Sequence, residues 1–158
     1  MVIIATVTTA FIFSNSLKPS SASWESSNAV ALLLQPILRK CYELASALVA
    51  WSGHTMTFTY WAFVRKMAHF AEYFVLGAEC AGIGAYLAGR AISPHLLSCL
   101  FVPLLVAVVD EYMQGFVGRT SVVSDVLLDF SGALAGSVIV TLIAALVFSR
   151  ARKRHLKG

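Results

Sequence analysis

Apolar residues run through this chain in four long blocks, 1–17, 66–89, 94–114 and 122–148, and the polar residues within them gather toward one end of each block. A helix needs about 20 mostly apolar residues to cross about 30 Å of hydrocarbon. Three blocks meet that length and the first nearly does, so the pattern predicts an all-α polytopic membrane bundle with about four transmembrane helices. The link "RAIS" between the second and third blocks is too short for anything but an antiparallel hairpin. The link "GFVGRTSV" before the fourth is also short and carries Gly115, Gly118 and Arg119.

The first link, 18–64, is long and mixed. Its opening, "KPSSASWESSN", is serine-rich and predicts a loop. The following "AVALLLQPILRKCYELASALVAW" is apolar but holds Pro36, Arg39, Lys40 and Glu43 at its middle. Each charge at a helix centre costs about 2.5–3.5 kcal/mol on insertion scales, so this stretch predicts an interfacial or re-entrant helical segment in an extracytoplasmic loop. Trp51, Tyr60 and Trp61 suit the membrane interface.

Composition agrees with a membrane class: the chain is 58% hydrophobic and 13% charged, too apolar for an ordinary soluble domain of 158 residues. The formal charge of +4 carries no nucleic-acid signal, because five of the twelve basic residues lie in the tail "RARKRHLKG". That tail, 150–158, reads as a cytoplasmic anchor behind a single transmembrane domain, 1–149. Arg90, Arg150, Arg152, Lys153, Arg154 and Lys157 outnumber Lys18, Arg65, Lys66 and Arg119 on the other side, which places the C-terminus in the cytoplasm. The N-terminus has neither a basic leader nor a small-residue cleavage site and reads as a short first helix. Cys41, Cys80 and Cys99 have no metal or redox spacing.

Depth along the helices brings the polar residues to one level. At about 1.5 Å per residue, His69 lies about 31 Å from Arg90, Gln114 about 30 Å from Pro94 and Asp129 about 31 Å from Arg150. Glu72, Asp110 and Glu111 fall slightly deeper, Asp125 and Arg119 slightly shallower, and the "FSNS" ending of the first helix arrives on the same side. Helical angles agree. Arg65, Lys66, His69, Glu72, Tyr73 and Glu79 share one face, Asp110 aligns with Gln114, and Asp125 and Asp129 align with Gly132 and Gly136. That last spacing lets another backbone approach closely. Charges at membrane depth are costly, and they mark either a functional site facing protein or a structural network joining the helices. Three cations against five carboxylates leave a negative excess, which protonated carboxylates, a bound divalent metal or a cationic ligand would each balance.

The ordered set "FSNS", "RKMAHFAEYFVLG" and "DEYMQGFVGRTSVVSDVLLDFSGALAG" resembles the VanZ-like family of small bacterial membrane proteins. That family is named for a member associated with resistance to the glycopeptide teicoplanin, so the resemblance implies a multi-pass protein of the bacterial cytoplasmic membrane acting in the cell envelope. Ser14, Ser16, Arg65, Lys66, His69, Glu72, Tyr73, Asp110, Glu111, Gln114, Arg119, Ser124, Asp125 and Gly132 match motif positions. The chain departs from the family pattern at "VGRTS", where members often have a Pro-Gly pair before the arginine, and at Asp129, where they often have asparagine. Glu79 lies outside the motifs.

Three functions are compatible with these residues. In the first, an extracytoplasmic polar pocket binds or acts on an envelope lipid or a lipid-linked cell-wall precursor. Arg65, Lys66 and Arg119 would grip its phosphate, with Tyr73, Gln114, Ser14 and Ser16 as further head-group contacts. In the second, His69, Glu72, Asp110, Glu111 and Asp125 supply acid/base chemistry for hydrolysis or transfer on the head group, with His69, Glu72 and Asp110 as candidate ligands of a divalent metal. Ser14, Ser16, Ser121 or Ser124 would be the nucleophile there, although each also suits a helix cap. In the third, the amphipathic stretch 29–51 binds another envelope protein.

Overall fold

The computed structural model describes residues 1–18, 20–55, 59–88, 95, 97–118 and 122–155, with side chains for all of these except 20–31, 33, 88 and 148–155. Among the described residues the protein is all-helical. Five α-helices follow one another: α1 (Val2–Ser16), α2 (Ser20–Trp51), α3 (Tyr60–Ala88), α4 (Val102–Phe116) and α5 (Val123–His155). A five-residue π-helical turn, Leu97–Phe101, leads into α4.

Several boundaries differ from those read off the sequence. The serine-rich start of the first link is helix, not loop, and α2 runs unbroken for 32 residues through Pro36. The second expected span begins earlier, at Tyr60, and the fourth continues past the apolar block into the basic tail as far as His155. Arg90 and Pro94, used above as depth markers, lie outside the described residues, as do Arg119 and Ser121.

Among the described residues two stretches are long and apolar enough to cross a membrane, Leu97–Phe116 and Val123–Val147. Helix α1 is apolar but has 15 residues, and α3 has 29 but carries Arg65, Lys66, Glu72 and Glu79. The arrangement of polarity is the reverse of a soluble domain. On α4 and α5, Leu105, Val108, Leu127 and Leu142 are exposed while Asp110, Glu111, Gln114, Asp129 and Ser137 are buried. Water would penalise such an apolar exterior, whereas lipid accepts it.

The chain divides into two compact units, Met1–Leu17 with His69–Gly158, and Lys18–Ala68. In the second unit, Tyr42 of α2 packs edge-on against Tyr60 and Phe63 at centroid distances of 5.7 and 5.5 Å. Arg39 and Glu43 form an exposed pair along α2 at 3.5 Å.

In the first unit the core is small: Ile12, Tyr73, Leu76, Cys80, Ala107 and Ala133. Helix α4 packs against both α1 and α5. The contact of α3 with α5 is closer, because a Cβ on Gly77 would collide with the backbone of Ala133, one on Gly132 with Phe70, and one on Gly136 with Phe74. The Gly132/Gly136 spacing therefore meets the partner backbone that the sequence pattern called for. Ser137 ties the same two helices, donating from Oγ to the carbonyl of Gly77 at 2.9 Å.

Candidate functional site

Close α3–α5 packing has a chemical consequence: it lets short polar side chains of the two helices meet. His69 on α3 and Asp129 on α5 approach to 4.0 Å between Nδ1 and Oδ1. Asp110 of α4 joins them, and one potential ligand atom from each of the three residues lies within 4.8 Å of the other two. Asp110 and Asp129 are 0% and 2% exposed, so water does little to screen them.

Neighbouring residues extend the cluster onto α1. Gln114, one turn after Asp110, donates from Nε2 to Asp110 Oδ2 at 3.0 Å and to Ser16 Oγ at 3.5 Å. Asn15 donates from Nδ2 to Glu72 Oε1 at 2.9 Å. These contacts join the C-terminal ends of α1 and α4 to each other and α1 to α3, and the His69–Asp129 approach brings in the N-terminal part of α5. Four separate stretches of sequence meet at one end of this unit.

Glu111 has a different duty. Its Oε1 accepts a hydrogen bond from the backbone N–H of Val122 at 2.6 Å, which anchors the residue preceding α5 to α4. Helix starts leave backbone N–H groups unmatched, and a carboxylate there is favoured. Tyr73, one turn after His69, is fully buried, and its hydroxyl has no hydrogen-bond partner among the described residues. Its electrostatic neighbours are Asp110, Asp129, Glu72 and Glu111.

Of the residues selected from sequence, the structure thus brings together Ser16, His69, Glu72, Tyr73, Asp110, Glu111 and Gln114. Asp125 is half-buried in the first turn of α5, one turn before Asp129, and Ser124 is exposed. Ser14 is exposed on α1. Arg65 and Lys66 are half-buried residues of the second unit, and Arg119 lies outside the described residues. Sequence reasoning put Asp129 at the right depth and face but did not choose it as a site residue. In the structure Asp129 is the third member of the potential metal-ligating group, and Glu72 is engaged by Asn15 instead. Asn15 was likewise not selected, although it sits inside the quoted "FSNS".

Chemically, the described cluster is an imidazole among buried carboxylates, with amide and hydroxyl groups around it. It is suited to hold a cation or to move a proton. A family model described as VanZ/LLP1 matches residues 1–144. The chain belongs to the VanZ/LLP1 family. The match takes in all four helices that build the cluster, and the VanZ/LLP1 assignment together with two apolar helices is consistent with a membrane protein. Neither a curated protein nor a solved structure matches the chain.

Proposed function

We propose that this VanZ/LLP1 protein crosses the bacterial cytoplasmic membrane four times, through α1, α3, α4 and α5, and that its polar cluster acts on the head group of an envelope lipid on the extracytoplasmic side. The observation that supports this most is the burial of Asp110 and Asp129 beside the half-buried His69, on three helices, inside an apolar exterior. Keeping such groups out of water is costly. A purely architectural contact between helices is served here already by Gly77, Gly132, Gly136 and Ser137.

In this reading Glu72, positioned by Asn15, is the acid/base group, and His69 with Asp129 and Asp110 forms the polar centre beside it. Arg65, Lys66 and Arg119 retain the phosphate-binding role that their charge suggests. A chemical change to a surface lipid or lipid-linked cell-wall precursor is also the simplest route to altered glycopeptide sensitivity.

The test is turnover by the purified full chain in nanodiscs of mixed envelope lipids, followed by mass spectrometry of the lipids. A product is expected with wild type and none with His69→Ala or Glu72→Gln at equal membrane levels. If these variants instead lose expression and thermal stability together, and wild type yields no product, the cluster is architectural and the proposal fails.

A further inference from the structure

We infer that His69, Asp110 and Asp129 hold a divalent transition-metal ion of the zinc or manganese class. The inference rests on taking this cluster as the working site of the protein. Two independent observations carry it, the convergence of three potential ligands, one imidazole and two carboxylates, and the buried, unpartnered hydroxyl of Tyr73 in the same surroundings.

The three ligand atoms lie within 4.8 Å of one another. Three donors on one ion at about 2.0–2.2 Å sit about 3–4 Å from one another, so side-chain adjustments on the order of 1 Å would close the group. Each ligand comes from a different helix, and the steric fit of Gly132 and Gly136 against α3 holds two of those helices in register. Such a group is assembled by the fold and not by a flexible loop.

Charge and ligand type narrow the ion. Two carboxylates side by side in a buried site repel each other, and one imidazolium would offset only half of their charge. A dication offsets all of it. The imidazole nitrogen favours zinc over calcium and magnesium, which prefer all-oxygen sites, and the two carboxylates also suit manganese. Three protein ligands leave a coordination position open, as catalytic sites require.

Tyr73 completes the argument. Its side chain is fully buried, its hydroxyl lacks a hydrogen-bond partner among the described residues, and the carboxylates of Asp110 and Asp129 are its electrostatic neighbours. A buried hydroxyl without a partner is disfavoured, and a further ligand on the ion would give it one.

The experiment is metal analysis of the full chain purified without chelator, followed by stripping and titration with Zn²⁺, Mn²⁺ and Co²⁺. About one equivalent of ion is expected, with a rise in thermal stability on reloading and a Co²⁺ absorption spectrum typical of mixed nitrogen and oxygen ligands. His69→Ala should abolish uptake. Asp129→Asn, which keeps the packing volume, should do the same while the protein stays folded. Tyr73→Phe should weaken binding by about tenfold, the lower end of what outer-shell partners contribute, and Glu79→Gln should leave it unchanged. No uptake of any of the three ions by stripped wild type, or wild-type uptake by Asp129→Asn, would overturn the inference. Lipid turnover that survives stripping would remove the metal and leave the functional reading standing. Stoichiometric metal with no effect on lipids would keep the ion and remove the lipid role.

Discussion

Gly136 of α5 sits so close to Phe74 of α3 that a single added carbon would overlap the Phe74 carbonyl. The polar cluster lies one to two turns away on the same pair of helices, where His69 and Asp129 approach to 4.0 Å.

Enlarging Gly136 should therefore damage both stability and site. Gly136→Val is expected to cost about 1–3 kcal/mol, the usual range for overpacking a filled interior. A lowered unfolding temperature in detergent would show it. Gly115→Ala is the matched control, since a side chain there meets nothing within 4 Å. Equal unfolding temperatures for the two variants would contradict the close-packing account.

Asn15→Ala should release Glu72 from α1. Loss of a hydrogen bond to a charged acceptor costs about 1.5–3 kcal/mol, and a neutral one about 1 kcal/mol. A double-mutant cycle with Glu72→Gln separates the pair from its surroundings. A coupling energy near zero would mean that the 2.9 Å contact does not hold Glu72 in place.

Much of this arrangement was legible in the chain. Depth at a fixed rise per residue put Ser16, His69, Gln114 and Asp129 at one level, and the Gly132/Gly136 pair announced the close helix contact. Choosing Asp129 over Asp125 required more. One helical turn separates them, and which of the two reaches His69 depends on how far α3 penetrates α5, set also by Gly77 on the opposite helix. The continuity of α2 was not legible for a different reason. Serine disfavours helix by no more than about 0.7 kcal/mol per residue, too little to fix a loop, and Pro36 marks a local cost that the long helix carries without ending.

Thiol labelling checks the proposed orientation. Cys41 is exposed on α2, whereas Cys80 and Cys99 are buried in the first unit. A membrane-impermeant maleimide added to intact cells should label Cys41 and neither of the others, and a C-terminal tag should become reachable only after lysis. Labelling of Cys41 only after lysis would place 18–64 in the cytoplasm and contradict the proposed orientation.

Glu79 tests how the bundle treats a carboxylate away from the cluster. Thr8 of α1 donates from Oγ1 to Glu79 Oε1 at 3.0 Å, while Oε2 is buried with no hydrogen-bond partner among the described residues. Replacing Thr8 by valine keeps the volume but removes the one donor seen on that carboxylate, which should lower stability by about 1–3 kcal/mol. Glu79→Gln offers Thr8 an amide oxygen in place of the carboxylate and adds an N–H₂ group of its own, so it should unfold at or above the wild-type temperature. Because Glu79 takes no part in the proposed chemistry, the same variant should process lipid at the wild-type rate. Thermal unfolding in detergent and lipid turnover in nanodiscs read the two effects separately. A stable Glu79→Gln protein without turnover would show that the working site reaches deeper along α3 than the group around His69.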